Sequence, residues 1–180
     1  MNTTKVLLSG SLLCAIVIPQ SARAQSLAVS SVAGPPGAER EFVVSLVTNG
    51  APIAAAQLDV SFDRANTPIK ALTGGLPDCE VNDSLGKEGS HVQLLPRGCV
   101  GSECTSVRGM IYSTSNIDPI LSGSWLFKCT IAIESGVPPG TYPLLGSLPI
   151  ASDSLGGKVT VAKVDGTVQV SSPGPGPGCS

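Results

Sequence analysis

The chain has 180 residues, of which 11 are Lys or Arg and 13 are Asp or Glu, so its formal net charge is −2. This weakly acidic balance argues against nucleic acid as a partner, because nucleic-acid binding depends on clustered basic residues. After the N-terminal segment, no apolar run reaches the roughly 18 residues that a membrane-spanning helix needs. The composition therefore predicts a soluble domain with no membrane span.

The first 24 residues have the pattern of a secretory signal peptide. Lys5 precedes an apolar run over residues 6–19, and Ala22 and Ala24 place small side chains where signal peptidase cleaves. We therefore expect export, with a mature chain that begins at Gln25. Removal of the two basic residues in this segment changes the formal net charge to −4.

From residue 25 to residue 170 the chain alternates short β-type runs with turns rich in Gly, Pro, Asn and Asp. The clearest period-2 run is 56–62, in which Ala56, Leu58, Val60 and Phe62 share an apolar face that we expect to enter the core. The opposite face carries Gln57, Asp59 and Ser61, which we expect to meet water. Strands are expected at residues 27–32, 41–47, 56–62, 107–113, 125–133, 141–145, 159–164 and 167–170. No segment carries a sustained helical period, so the fold class is all-β, a sandwich or jelly roll.

The longest expected strand carries its large apolar side chains on one face, which we expect to be buried. These side chains are Trp125, Phe127, Cys129, Ile131 and Ile133. The stretch 74–103 is less regular and predicts a long, cross-linked loop region with room for one strand.

Five cysteines remain in the expected mature chain, and export makes disulfides their first interpretation. A zinc site would need a second ligand pair beside Cys99 and Cys104, and the chain has only one histidine, His91. We predict two bridges, Cys99–Cys104 and Cys79–Cys129. A buried free thiol at Cys129 is the alternative.

Residues 171–180 form a low-complexity Pro/Gly-rich tail that we expect to lie outside the folded core. The odd cysteine, Cys179, belongs to this tail. An exposed thiol in an oxidising compartment tends to pair, so Cys179 predicts a disulfide-linked partner, either a second copy or another exported protein. An unpaired tail without function is the alternative.

No arrangement of residues indicates catalysis, and we expect a protein that is not an enzyme. His91 is the only possible imidazole base, and no Gly-x-Ser-x-Gly turn accompanies it. Glycoside hydrolysis needs two facing carboxylates, whereas the acids here are scattered and mostly end strands, where Asp stabilises turns. They include Asp59, Asp63, Asp78, Glu80, Asp83, Asp118, Asp153 and Asp165.

No metal or other cofactor is expected, with calcium as the open alternative at the Asp-Ser-Leu-Gly-Gly loop 153–157. Sugar binding relies on exposed aromatic side chains, and the chain contains only six. Phe42, Phe62, Trp125 and Phe127 lie on expected apolar faces. The shortage of remaining aromatics favours a protein over a sugar as the partner.

Three segments together resemble the cohesin family. Residues 53–63 run from small residues into a strand that ends in an aromatic residue followed by Asp, residues 136–144 contain a Pro-Pro-Gly-Thr-Tyr turn, and residues 164–170 resemble the last cohesin strand. The segments occur in the family's order. The resemblance implies a nine-stranded antiparallel jelly-roll β-sandwich over residues 25–170. It also implies a non-catalytic module that binds dockerin domains and thereby attaches polysaccharide-degrading enzymes to a scaffold or cell surface.

We expect the partner to dock on the polar side of the strand within 53–63, at Gln57, Asp59 and Ser61. Cohesins place Asn and Asp at the start of this strand, whereas this chain has Ala55 and Gln57. Two function classes follow: a secreted module that docks a dockerin-like protein, or a carbohydrate-binding or structural cell-envelope protein on the same scaffold. A flat polar and aliphatic face would favour protein, and a row of exposed aromatics would favour polysaccharide.

Overall fold

The computed structural model describes residues 24–100 and 103–172. The strands are β1 (Ser26–Val29), β2 (Val32–Gly34), β3 (Glu39–Val47), β4 (Ile53–Ser61), β5 (Cys79–Val81), β6 (His91–Leu95), β7 (Ser106–Ile111), β8 (Trp125–Ala132), β9 (Gly140–Asp153), β10 (Lys158–Val159), β11 (Ala162–Val164) and β12 (Gly166–Val170). One 3-10 turn, Asp83–Leu85, lies between β5 and β6. The described part contains no helix long and apolar enough to span a membrane. Residues 1–23 of the expected signal peptide and Cys179 lie outside the described residues.

The strands form two sheets packed as a jelly-roll β-sandwich, which confirms the all-β prediction. One sheet has the order β11-β1-β3-β8-β5, and the other has the order β2-β12-β9-β4-β7-β6, with β10 paired to β9. Neighbours are antiparallel except for two parallel pairs, β1 with β11 and β2 with β12. The structure describes twelve strands, more than the expected nine. Four of them, β2, β5, β10 and β11, have only two or three residues each.

The core lies between the sheets and follows the period-2 alternation of their strands. Leu58 and Val60 of β4 are fully buried. Phe42 of β3, in the other sheet, is also buried and belongs to the same hydrophobic core. Phe62 departs from the expectation. It follows β4 instead of continuing it and is only partly buried against the edge of the core.

A β-bulge in β8 corrects the expected position of Trp125. Val44 pairs with Phe127 but Ser45 pairs with Trp125, so Leu126 is an extra residue in β8 and takes the inward position. Trp125 is half-buried, with the Nζ atom of Lys128 5.5 Å from its ring centre. The remaining members of the expected apolar face are buried: Phe127, Cys129, Ile131 and Ile133.

Two disulfides confirm the predicted pairing. Cys79–Cys129 joins the short edge strand β5 to β8, where the two residues face each other in the register. Cys99–Cys104 closes the loop between β6 and β7. The alternative of a free thiol at Cys129 is therefore wrong.

Candidate protein-binding face

Four adjacent strands, in the order β9-β4-β7-β6, present a continuous outer surface that we call the candidate face. Its residues are those that alternate with the buried positions of these strands. They are Ala55, Gln57, Asp59 and Ser61 of β4; Leu145, Ser147, Leu148, Ile150 and Ser152 of β9; Ser106, Arg108 and Met110 of β7; and His91, Gln93 and Leu95 of β6.

The three residues expected to contact a partner, Gln57, Asp59 and Ser61, lie on this face. Gln57 and Ser61 are half-buried. The side chain of Asp59 was expected to meet water, but Asp59 is only 5% exposed. Its place on the outer side of β4 is as expected, but a neighbouring side chain covers it.

That neighbour is Arg108 of β7, which pairs with Asp59 across the two strands. Its Nε lies 2.6 Å from Oδ1 and its terminal nitrogen lies 2.7 Å from Oδ2, so the guanidinium holds both carboxylate oxygens. Hydrogen bonding to Asp59 raises the pKa of Arg108. The centre of the candidate face is therefore a self-neutralised ion pair.

Sequence reasoning missed Arg108 as a residue of this site. Its outward position in the predicted strand 107–113 was available from the alternation with Val107. The missing information was the register, because nothing local in the sequence says that Arg108 lies opposite Asp59, 49 positions away.

A shallow apolar depression of about 150 Å³ lies at one end of the face. It is lined mainly by Ala55 and Gln57 of β4, Met110 and Tyr112 on the β7 side, and Ile150 on the β9 side. The methyl side chain of Ala55 leaves this space open, whereas a longer residue would fill it.

A second depression, also about 150 Å³, lies at the other end of β4. Ser61, Phe62, Asp63, Pro143 and Leu145 line it. The side-chain amide of Asn66 and the backbone N–H groups of the following turn lower the pKa of Asp63. This carboxylate therefore stabilises the turn after β4.

Strand β9 gives the face an aliphatic stripe, consisting of Leu145, Leu148 and Ile150. These side chains are 45%, 59% and 50% exposed, although they lie within a strand. The expected strand ended at Leu145 and so missed the rest of the stripe. Gly146 and Pro149, which follow it, are unfavourable in strands.

His91 lies on the edge strand β6. Its Nδ1 is 3.1 Å from the carbonyl oxygen of Gly89, and its ring meets Tyr112 edge-on at 6.3 Å. The imidazole therefore contacts a backbone carbonyl and an aromatic ring.

Several acids that were considered as catalytic or metal-binding candidates instead accept hydrogen bonds that stabilise the fold. Asp165 accepts hydrogen bonds from Lys163 and from the backbone of Gly146, and the contact with Lys163 lowers its pKa. In the loop considered for calcium, Oδ1 of Asp153 accepts the backbone N–H groups of Leu155 and Gly157. Among the described residues, no three His, Cys, Asp or Glu side chains cluster as metal ligands.

Aromatic side chains do not form a row on the candidate face. All six lie in the described residues, and Tyr112 is the most exposed of them, at 37%. Phe42 and Phe127 are buried, while Phe62, Trp125 and Tyr142 are partly buried. The face is therefore polar and aliphatic, the composition that favours a protein partner.

Solved structures of other proteins have a similar fold. No protein-family model and no curated protein matches the sequence. Among solved structures, the sixth cohesin of scaffoldin B from Acetivibrio cellulolyticus, in complex with a Cel5 dockerin, is 15% identical with a TM-score of 0.66, over 83% of this chain and 100% of that chain. A type I cohesin–dockerin complex from Clostridium thermocellum gives 15% identity and a TM-score of 0.64, over 82% of this chain and 99% of that one.

A non-cellulosomal cohesin from the archaeon Archaeoglobus fulgidus is also similar, with 16% identity and a TM-score of 0.56 over 83% of this chain and 92% of that chain. The three structures differ in source and in whether a dockerin is part of the complex, but they share one architecture with this chain. The chain therefore has a cohesin-like fold.

Proposed function

We propose that the chain is a secreted, non-catalytic cohesin-like module that binds a dockerin-like protein through the candidate face. Two of the similar structures are cohesins in complex with dockerins, which supports a protein partner for this fold. The observation that carries the proposal is the aliphatic stripe on β9 beside two apolar depressions, because exposed apolar surface of this kind marks interaction sites.

The module would act outside the cell, in an extracellular or surface assembly that degrades polysaccharide. Two features support this setting: the signal-peptide pattern of the first 24 residues and the two disulfides. Disulfides persist in oxidising compartments and are rare in the cytosol. The partner would supply the catalytic activity, and this module the attachment.

Calorimetric titration of the mature domain with a panel of dockerin modules tests the proposal. We expect at least one dockerin to bind, and Ile150→Lys to weaken that binding by about 30-fold or more, since a charge would enter the centre of an apolar contact. Val164→Lys is the matched control, because Val164 of β11 is 49% exposed but lies in the other sheet. It should change the affinity less than about 2-fold.

Failure of the folded wild-type domain to bind any dockerin of the panel would contradict the proposal. Equal losses in the Ile150 and Val164 variants would contradict the assignment of the face. A parallel sedimentation assay with insoluble cellulose should leave the domain in the supernatant, and co-sedimentation would instead favour a carbohydrate-binding function.

A further inference from the structure

Strand β6 is the longest unpaired edge of the sandwich. The described sheets end in β11, β5, β2 and β6, and β10 forms a further edge beside β9. β6 has five residues, whereas each of the other edge strands has two or three. Proteins usually protect edge strands by keeping them short or charged, because an open edge can pair with another chain. β6, with the sequence His-Val-Gln-Leu-Leu, has neither protection.

The free side of β6 presents the backbone groups of Val92 and Leu94. In an antiparallel pair, alternate residues exchange hydrogen bonds with the neighbouring strand, and the residues between them direct theirs to the other side. The N–H of Gly89 donates to the carbonyl oxygen of Tyr112 at 3.1 Å, so the same register makes the odd-numbered residues of β6 those bonded to β7. Within the described part of the chain, no backbone group bonds to Val92 or Leu94 from the other side. These two residues therefore leave two N–H and two C=O groups for an additional strand.

A groove of about 380 Å³ lies beside this free edge. It is lined by residues 92–94 of β6, residues 74–77 and residues 97–100 of the loop after β6. Its walls include Leu76 and Val100, which are 67% and 65% exposed. The volume is within the range of ligand-binding clefts, and exposed aliphatic side chains of this kind mark interaction sites.

One wall of the groove is anchored to the core by a disulfide. Cys99 lines the groove and is bonded to Cys104, which is only 1% exposed. The bridge therefore restrains the loop that contains residues 97–100. A binding site that is already ordered loses less conformational entropy when its ligand binds.

Arg97 gives the groove a positive charge at the end that follows β6. Its Nε lies 3.4 Å from the side-chain oxygen of Gln93, and none of the ion pairs among the described residues includes it. The chain as a whole has a formal net charge of −2, so this cation stands against the overall charge. An acidic group on the occupant would be complementary to it.

We infer that β6 and this groove bind an extended segment of a partner protein, which adds to the sheet as an antiparallel strand. Antiparallel pairing is slightly more stable per residue than parallel pairing. Directly opposite residues share a face, so the segment would place aliphatic side chains opposite Val92 and Leu94, in the groove, and an acidic side chain near Arg97. A single strand fits here more easily than the edge of a second sandwich, because residues 74–77 also line the groove. The inference goes beyond the proposed function, since it concerns a sheet edge and does not depend on the candidate face.

Titration of the ¹⁵N-labelled mature chain with a synthetic peptide tests the inference. The probe is the capped hexapeptide Asp-Thr-Thr-Val-Thr-Val, in which the two valines would lie opposite Leu94 and Val92 and the aspartate would reach Arg97. We expect saturable changes in the amide chemical shifts of Val92 and Leu94. The amides of β9, at the candidate face, should not change.

Two methylated peptides separate strand addition from general apolar binding. N-methylation of both valines removes the N–H groups that would donate to β6, so the dissociation constant should rise by about 10-fold or more. N-methylation of the threonines before each valine is the matched control, because those N–H groups would point away from β6. It should change the dissociation constant by less than about 2-fold.

The variant Arg97→Gln tests the acidic position. It should weaken binding of the aspartate peptide by about 3-fold, the effect of an exposed ion pair. A peptide with asparagine in place of aspartate should bind the variant and the wild type equally. Equal weakening of both peptides would overturn the assignment of an acidic residue to this position.

Three other results would overturn the inference. The first is the absence of saturable shift changes at Val92 and Leu94. The second is an equal loss of affinity from the two methylation patterns, which would exclude backbone pairing with β6. The third is a dimer of the chain, detected by sedimentation velocity, that the hexapeptide dissociates, because the occupant would then be a second copy.

Discussion

Gly109 shows how closely the two sheets approach each other. A Cβ atom at this position of β7 would overlap the ring of Phe127, which β8 inserts from the opposite sheet. Phe127 is fully buried, so its ring has no room to move aside. Gly109→Ala should therefore lower the free energy of unfolding by about 3 kcal/mol, as measured by urea denaturation.

Gly136→Ala is the matched control for this substitution, because a Cβ atom there would meet no neighbouring atom and the backbone has no positive φ. Its effect should stay within about 0.5 kcal/mol. The double variant Gly109→Ala/Phe127→Leu should be less destabilised than the sum of the two single variants, since Leu vacates part of the contested space. Strict additivity would show that the overlap is not the cause.

For single residues, the sequence predicted the inward and outward positions correctly only where the alternation is regular. Leu58 and Val60 were correct because β4 alternates without interruption at that point. The predicted inward position of Trp125 was wrong because a bulge adds one residue to β8. The predicted exposure of Asp59 was wrong because Arg108 covers its carboxylate. Both errors arise from pairing with another strand, which no local pattern encodes.

At the scale of the elements, the two disulfides close loops of very different length. The separation is 50 positions for Cys79–Cys129 and 5 positions for Cys99–Cys104. Because each bridge lowers the entropy of the unfolded chain, the first should stabilise the fold by about 4 kcal/mol and the second by about 2 kcal/mol. The first also ties β5, a strand of only three residues, to the sheet.

We therefore expect Cys79→Ala/Cys129→Ala to lose about 2 kcal/mol more stability in urea denaturation than Cys99→Ala/Cys104→Ala. The comparison is fair because each pair has one fully buried member, Cys129 or Cys104. Hydrogen exchange should also show loss of protection in β5 for the first variant alone. Equal losses of stability would mean that the constraint on the unfolded chain does not set the difference.

Strand β9 marks the limit of prediction for the elements. The strand was expected at 141–145 but continues to Asp153, through Gly146 and Pro149. Those residues are poor strand formers. The strand continues because β4 pairs along its length and because a β-bulge at Leu148 and Pro149 accommodates the irregularity. The aliphatic stripe, and with it most of the candidate face, depends on this non-local pairing.

At the scale of the whole molecule, the fold was accessible from the sequence. Short alternating runs with Gly and Pro turns indicated an all-β sandwich, and the order of three segments indicated its cohesin-like form. The partition of strands between the two sheets was not accessible, because neighbours such as β4 and β9 are far apart in the chain. The candidate face could therefore be assigned to one strand, β4, but not to its neighbours.

Acidic pH should destabilise the molecule through carboxylates that accept hydrogen bonds in the folded state. The side-chain hydroxyl of Ser113, the backbone and Ser115 lower the pKa of Glu88 to about 2. The pKa values of Asp63, through Asn66, and of Asp165, through Lys163, are also lowered. The unfolded chain then binds more protons than the folded one, so stability present above the unfolded pKa is lost as pH falls through the folded pKa.

For Glu88 the unfolded pKa is 4.5, so its share of the loss falls between about pH 4.5 and about pH 2. Urea denaturation at several pH values from 7 to 2.5 measures the effect. In Glu88→Gln the side chain no longer titrates, so the decline of unfolding free energy with falling pH should be shallower than in the wild type. If Glu88→Gln keeps the wild-type slope, the turn around Ser113 and Ser115 does not hold the Glu88 carboxylate of the wild type in solution.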